Sequence, residues 1–471
     1  MNFQFYVFGL IFTIINPLVQ FWVEFLYFYR LNASKPSLTK NHDVLTEEGW
    51  KPIAKVTKND NVAVLKENTF LEYEKVSNVY KKPYKGKIYK IDEKFVGLET
   101  TPEHYIFCFK SRVLGKKKGF SLIKAKDVYH TYTTGFKKSA VWNAEDFQIT
   151  LPAISIPGKA RKQIIEEWEL PMEPFLKFFG FYIAKGWVSP YSDKNPTGGR
   201  IEISQSKPEG RLFFENVLDQ LDIPEKGTLN QEKDFTGKNS RTLHNSYYVY
   251  YENEGEMLDP SKGRYFEHKY RIYNKQLFNF LLPTRACAPQ KRLPDWVWSL
   301  SSQQAKWLLE GAFAGDGDEA GCYYTSSYEL ANDISRLCIH AGASYGYYRR
   351  PFDPNEVIKR DNIYLKSLVK QNWPMHRVTY LYKTKNMPVI NNDYYRERAG
   401  DNFIEGKGFK TETGEVVQFQ RGKPIEDLRK FQDAYVDYSG LVFDIEVPSK
   451  IILVRDKTKL RSVWTSGFIA D

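Results

Sequence analysis

The sequence predicts an α+β chain, with β-rich segments toward both ends and a central region organised on a repeated helical phrase. Three observations predict it. Gly180-Phe181-Tyr182-Ile183-Ala184-Lys185-Gly186 runs in step with Gly311-Ala312-Phe313-Ala314-Gly315-Asp316-Gly317. Each copy has a small residue at i and i+4, then a polar residue, then a glycine, and positions i and i+4 share one helix face. Segment 44–155 carries short β-prone runs, such as Val62-Ala63-Val64-Leu65, Lys87-Ile88-Tyr89-Lys90-Ile91 and Phe95-Val96-Gly97-Leu98, punctuated by polar residues and glycine. The chain closes with two more strand patterns, Gly440-Leu441-Val442-Phe443-Asp444-Ile445-Glu446-Val447 and Ile451-Ile452-Leu453-Val454.

In chain order, Met1 to Val23 contains no charged side chain, and the first acid is Glu24. The stretch is almost long and apolar enough to span a membrane. Asn2, Gln4, Asn16, Pro17 and Gln20 interrupt it, and no basic n-region of a secretory signal precedes it. Residues 1–36 therefore read in two ways: a membrane anchor through residues 1–30, or a remnant of coding sequence upstream of the functional unit. If the segment spans, Arg30 and Lys35 just after it place the rest in the cytosol. Tyr84-Lys85-Gly86-Lys87-Ile88-Tyr89 looks like a turn entering a strand. Residues 161–168 read as helical, and Pro171 and Pro174 mark a boundary before the first repeat helix. Each repeat helix precedes a β-prone and then a helical segment: Arg200-Ile201-Glu202-Ile203-Ser204 and 212–221 after the first, Cys322-Tyr323-Tyr324-Thr325 and 330–340 after the second. Residues 385–425 are polar, rich in Gly, Asn and Asp, and without clear periodicity.

The 471 residues suffice for two or three domains. A formal net charge of +11 points to a polyanionic partner. Aromatic residues make up 16%, which codon usage favouring Phe, Tyr, Asn, Lys and Ile explains more simply than base stacking does. Cys108, Cys287, Cys322 and Cys338 show no C-x-x-C spacing, which argues against a zinc site or a disulfide framework and fits a reducing compartment.

The repeat carries the chemistry. Gly180/Ala184 and Gly311/Gly315 would give each helix a smooth stripe and bring two backbones close together. The polar residue before each closing glycine then stands at a helix foot, beside the other foot. Two carboxylates there would hold a divalent metal against the phosphates of a DNA duplex. Here one foot is Asp316 and the other is Lys185. Trp307-Leu308-Leu309-Glu310-Gly311-Ala312-Phe313-Ala314-Gly315-Asp316-Gly317-Asp318 resembles the motif of the LAGLIDADG (dodecapeptide, DOD-type) homing endonucleases. Phe175-Leu176-Lys177-Phe178-Phe179-Gly180-Phe181-Tyr182-Ile183-Ala184-Lys185-Gly186 resembles its partner copy with the acid replaced.

That resemblance implies two αββαββα-like halves related by a pseudo-two-fold, acting as a monomer on double-stranded DNA with Mg²⁺ and no small-molecule substrate. Asp316 would be the metal ligand, with Asp318 and Glu319 as substitutes, and Lys185 would occupy the second catalytic position. It also implies sheets that lie in the major groove, where every base pair is distinguishable. Candidate DNA-contacting cations are Lys269 and Arg271 in His268-Lys269-Tyr270-Arg271, and Arg349 and Arg350 in Tyr347-Tyr348-Arg349-Arg350. Lys262-Gly263-Arg264-Tyr265 is a further basic segment. Lys291 and Arg292, before the second repeat, read as structural first and phosphate-contacting second.

The flanking segments are similar to an intein's self-splicing Hint domain split by that insertion. Ser37-Leu38-Thr39-Lys40 resembles the opening block, Thr101-Pro102-Glu103-His104 the T-x-x-H block, and Phe443-Asp444-Ile445-Glu446-Val447-Pro448 the block before the splicing terminus. The resemblance implies Ser37 as nucleophile of an acyl shift, His104 as proton donor to the departing amide, Thr101 as holder of the strained carbonyl, and Asp444 as an orienting acid. On its own residues, His104 reads first as a satisfied strand histidine, and Asp444 reads equally as an ordinary strand-edge acid. Gly467 falls where the terminal asparagine belongs and Phe468 where Cys, Ser or Thr belongs, so splicing lacks its last two reactants.

The expected organisation is an apolar segment at 1–36, a Hint amino-terminal half at 37–155, the endonuclease unit at 170–385 and a Hint carboxy-terminal half at 425–467. The expected function is an intein-derived homing endonuclease, intracellular, impaired in double-strand cleavage and in splicing. Two alternatives stand beside it: a non-cleaving DNA-binding remnant, and a membrane-tethered Hint autoprocessing protein.

Overall fold

The computed structural model describes residues 37–92, 95–111, 119–128, 133–156, 163–192, 195–221, 223, 241–244, 247–251, 268–350, 374–381, 389–391, 403–404, 408–410, 416–418 and 433–469. The amino-terminal segment 1–36 and Lys262-Gly263-Arg264-Tyr265 lie outside them. No helix among the described residues is long and apolar enough to cross a membrane.

Strands from the two ends of the chain interlock. Leu38–Thr39, Asp433–Glu446, Asn78–Asp92 and Gly97–Thr100 close a small barrel. A larger sheet runs in the order Val141–Trp142, Phe70–Lys75, Asn61–Lys66, His42–Thr46, Ile451–Asp456, Ser462–Ser466, Tyr105–Ser111, Thr133–Phe136 and Val389–Asn391. Their shared core includes Leu38, Val44, Val64, Ile91, Leu98, Phe443, Val454 and Val463, all buried.

The longest pairing runs without a break from Asn78↔Glu446 to Ile91↔Asp433. The expected turn at Tyr84–Tyr89 is therefore continuous strand. Glycine inside a strand weakens it, and here each glycine has an aromatic cover. The Tyr84 ring lies over Gly86 and its hydroxyl donates to the Lys87 carbonyl at 2.8 Å. Tyr438 covers Gly440 and reaches Leu441 O at 2.8 Å in the same way. Tyr84 pairs with Gly440 and Tyr438 with Gly86, so the two devices are related by a local two-fold.

Residues 161–168, expected as helix, form strand at Gln163–Ile165, which folds back on Ile154–Ile156, and at Trp168–Glu169, which pairs with Thr150–Leu151. Ile164 is 65% exposed, so this apolar side chain adds no buried face that would stabilise an amphipathic helix.

Between the two parts of the β unit stand the repeat helices, Met172–Lys185 and Ser302–Asp316. The second starts on a capping box of Ser301 and Gln304. A Cβ on Gly180 would collide with the Leu308 carbonyl, one on Gly311 with the Lys177 carbonyl, and one on Gly315 would meet Ala184 Cβ at 2.6 Å. The backbones themselves are in contact, which is why this stripe must be glycine and alanine.

After the first helix come strands Gly186–Ser192 and Asn195–Gln205, helix Pro208–Leu221, strands Arg241–His244, Tyr247–Tyr251 and His268–Ile272, and helix Lys275–Leu281. The second helix is followed by strand Cys322–Thr325, helix Tyr328–His340, and strands Ser344–Arg350 and Met375–Leu381. The second half thus departs from αββαββα. Its first strand is reduced to one bridge, Gly317↔Tyr323, because Asp318 closes a tight turn by accepting the Cys322 and Gly321 amides.

Helix Tyr328–His340 docks on the β unit through polar contacts. Tyr73 OH lies 3.0 Å from His340 Nε2, Arg336 Nε donates to that hydroxyl at 3.2 Å, and Arg455 donates to Asn332 at 2.7 Å. Lys138, fully buried, donates to the Tyr345 carbonyl at 3.1 Å.

Candidate functional site

At the feet of the helix pair, Lys185 Nζ lies 2.5 Å from Asp316 Oδ1. The carboxylate that a metal would use is held by an ammonium. Lys291, read from the sequence as structural first and phosphate-contacting second, donates to the Ile183 carbonyl at 2.8 Å and the Gly186 carbonyl at 3.0 Å, tying down the end of the first helix. Burial lowers its pKa to about 8, with Asp316 opposing that shift and Lys185 adding to it. Lys207, not foreseen from the sequence, donates to the Gly317 carbonyl at 3.2 Å. Helix carboxyl ends present unsatisfied carbonyls and partial negative charge, and these lysines answer both.

Asp318 does not replace the missing acid. Its carboxylate takes the Tyr324 hydroxyl at 2.7 Å and the Cys322 amide at 2.9 Å. Burial would raise its pKa, but these bonds outweigh it and leave the pKa below the ordinary value. Among the described residues no three His, Cys, Asp or Glu side chains gather to hold a metal ion. At about 4 Å and an effective dielectric near 20, an ammonium repels a dication by about 8 kcal/mol, which cancels the attraction of the one carboxylate beside it. Residues with this charge pattern do not fit Mg²⁺.

The flanking sheets present one apolar and one polar face, as period-two alternation requires. Val188, Ile201, Ile203, Tyr270 and Ile272 are buried. Opposite them, Trp187, Glu202 and Arg271 lie in register across three strands, and Lys269 pairs with Ser204 on the same face. Glu202 accepts from Arg271 Nε at 2.7 Å and lies 2.9 Å from Arg200 Nε. Arg271 thus reaches this face already engaged, with Arg285 stacked on the exposed Trp187 ring at 5.5 Å.

In the second sheet, Arg349 and Arg350 cannot form one cluster, because neighbours on a strand point to opposite faces. Arg350 shares its face with Tyr348, Tyr324 and Arg377, whose guanidinium lies 5.0 Å from the centre of the Tyr348 ring. Arg349 turns to the face of Tyr347 and the buried His376, where burial and the Arg349 charge lower the imidazole pKa to about 4. Arg377 was legible only as an alternate position in a strand. Arg292 is exposed, one residue before Leu293, whose amide binds Asp333.

A second cluster forms where the chain ends meet. The pairing Leu38↔Phe443 sets Ser37 beside Asp444. Ser37 N donates to Thr101 Oγ1 at 3.0 Å, and Thr101 N donates to Ser37 O at 2.9 Å. His104 follows in the same turn, its amide on Thr101 O at 3.1 Å and its Nε2 2.8 Å from Thr465 Oγ1. Burial, and then the nearby His42, lower its pKa to about 3, so the ring is neutral at neutral pH. Burial pushes the Asp444 carboxyl well above the usual range, and its Oδ2 is buried without a hydrogen bond. Thr465 was not singled out from the sequence; only the fold reveals it as the partner of His104.

The far end of this cluster is closed. Gly467 N donates to Lys450 O at 2.8 Å and Phe468 N to Ile445 O at 2.7 Å, while the Phe468 ring stacks on Tyr80. A Cβ at Gly467 would collide with the Ile445 carbonyl. The backbone occupies the space that an asparagine side chain would need.

No protein-family model matches the chain. It is 27% identical over 474 aligned residues, 91% of its length, to a DNA-directed RNA polymerase subunit beta C-terminal section of Stigeoclonium helveticum. It is also 33% identical over 316 residues, 65% of its length, to an ATP-dependent Clp protease proteolytic subunit of Chlamydomonas moewusii. The chain spans 36% and 28% of those proteins. Among solved structures it resembles the AceL NrdHF class 3 split intein in a splice-inactive variant, at 18% identity and a TM-score of 0.17, covering 28% of this chain and 74% of that one. It also resembles I-DmoI in complex with DNA and Mn, at 10% identity and a TM-score of 0.26, covering 44% of this chain and 90% of that one. The structural likenesses are partial, one to inteins and one to a homing endonuclease.

Proposed function

We propose that the chain is an intein-derived element of the LAGLIDADG type that binds a long duplex DNA site as a monomer inside the cell, and is impaired both in cutting and in splicing. The observation that carries the reading is the paired Gly/Ala helix contact, which sets two feet side by side between two sheets with basic, aromatic outer faces. The two sequence relatives bear unrelated names and are matched over about a third of their lengths. A shared piece of that size in two unrelated proteins is what an inserted element would leave.

Phosphodiester cleavage with two metals requires negative ligands at the feet. The Lys185–Asp316 pair favours a binder over a nuclease, so the non-cleaving alternative is the form preferred here. Splicing would begin at Ser37. Its Oγ attacks the preceding carbonyl, a C–O bond forms as the C–N bond breaks, and the hydroxyl proton passes to the Ser37 nitrogen. The Thr101 hydroxyl lies on that nitrogen, and a neutral His104 is a weak proton donor to it. Ester hydrolysis could then release residues 1–36, but Gly467 and Phe468 supply no cyclising amide and no acceptor.

The deciding experiment is a gel shift and cleavage assay on duplex DNA flanking the gene, with and without Mg²⁺. The expected result is a shift whose affinity falls steeply as salt rises, since each phosphate contact releases counterions. Rapid double-strand cleavage would overturn the impairment, and absence of any shift would overturn the DNA reading. Mass spectrometry should find no product in which the flanks of 37–467 are joined.

A further inference from the structure

We propose that the floor between the helix feet takes a backbone phosphate of the duplex directly on lysine ammonium groups, in place of a divalent cation. The inference rests on the DNA-binding reading and concerns the ligand of that one spot. Three ammonium groups stand at the ends of the two helices: Lys185 on Asp316, Lys291 on Ile183 O and Gly186 O, and Lys207 on Gly317 O. Against them stand the Asp316 carboxylate and two helix carboxyl ends, each carrying about half a negative charge. The ionised Asp318 nearby is opposed by Arg377, and the balance that remains is about one positive charge, which suits an oxyanion. With a carboxylate in place of Lys185 the same sum would be about one negative charge, which suits a metal. One position therefore sets the sign of the site.

The donor geometry agrees with the charge. An ammonium has three N–H donors, and the two carbonyls bound by Lys291 use two of them. Lys207 is exposed, with a carbonyl taking one of its donors. Asp318, the other acid nearby, is taken up by Tyr324 and the Cys322 amide and does not add a ligand. A phosphate oxygen finds donors at this floor; a dication finds one carboxylate, already paired.

The test uses the full chain and a duplex of the gene's flanking sequence, at matched ionic strength, with EDTA or with Mg²⁺. The chain should bind equally well in both, and Mn²⁺ electron paramagnetic resonance without DNA should show no stoichiometric site. Lys185→Gln should lower the slope of log K against log salt by about 0.9, the value of one lost phosphate contact, and should gain no Mg²⁺ dependence. Lys185→Glu should weaken binding in EDTA by about tenfold or more, recover it with Mg²⁺, and acquire a Mn²⁺ site. Binding by the natural chain that requires Mg²⁺, or a Mn²⁺ site abolished by Asp316→Asn, would overturn the anion site while leaving the DNA reading intact. No binding in either buffer would overturn both.

Discussion

The helix feet and the strand-end cluster each hold a residue that the chemistry proposed for them cannot use, and they hold it in different ways. At the feet the difference is one of side chain: Lys185 stands where a second acid would be needed, and its ammonium pairs with Asp316. At the strand ends, Gly467 stands where splicing would need an asparagine, and the Ile445 carbonyl occupies the room a side chain would take. A side chain is altered by one substitution; a backbone that fills the space is not.

The largest test of this contrast lies in the frame that makes the feet neighbours. Gly311→Leu should destabilise the fold by about 3 kcal/mol or more, because the new side chain meets the Lys177 backbone rather than a movable side chain. An unchanged melting temperature would break the close helix contact. Next, Gly467→Asn should lower stability by about 1–3 kcal/mol and yield no cleavage after position 467, as overpacking against a backbone carbonyl does. If that variant cleaves, the cluster is as readily altered as the feet and the comparison collapses. Lys185→Glu should in turn raise Mg²⁺-dependent nicking or cleavage, while Asp316→Asn should remove whatever cutting the natural chain has, as read on supercoiled plasmid.

A smaller effect concerns the junction between the two regions. Lys138 is buried on the Tyr345 carbonyl, and burial lowers its pKa from 10.5 to about 7, with Arg461 adding to the shift and Asp456 opposing it. Between those values the unfolded chain holds a proton that the folded chain has lost. Stability should therefore rise with pH from about 7 upward on this account. The slope should vanish in Lys138→Met, measured by denaturation at a series of pH values. The smallest expected effect separates two neighbours. Arg350→Ala should reduce the salt slope of DNA binding by about 0.9, and Arg349→Ala should leave it unchanged, because only the first shares the outer sheet face with Arg377.

Local signals were legible where the chain's own periodicity fixes geometry. Small residues at i and i+4 announced the paired helices, and with them the adjacency of Lys185 and Asp316. The T-x-x-H phrase and the final strands announced residues that the fold gathers around Ser37. What failed were readings that depended on distant partners. Tyr84–Tyr89 looks like a turn in isolation, yet 433–446 pairs along its whole length and Tyr84 covers the glycine that would have broken it. Residues 161–168 pattern as a helix, but 163–165 and 168–169 pair with 154–156 and 150–151 instead.

By itself, then, the sequence determined the helix stripe, the unlike feet Lys185 and Asp316, and a glycine followed by a phenylalanine at 467 and 468, because each is a matter of residue type at short spacing. Only the tertiary structure decided where the charges go. It sent Lys291 to two carbonyls, bound Arg271 to Glu202, parted Arg349 from Arg350 and gave His104 its partner Thr465. A cation's role follows from what lies within about 3 Å of it, and that neighbour is set by strand register and helix approach across hundreds of residues.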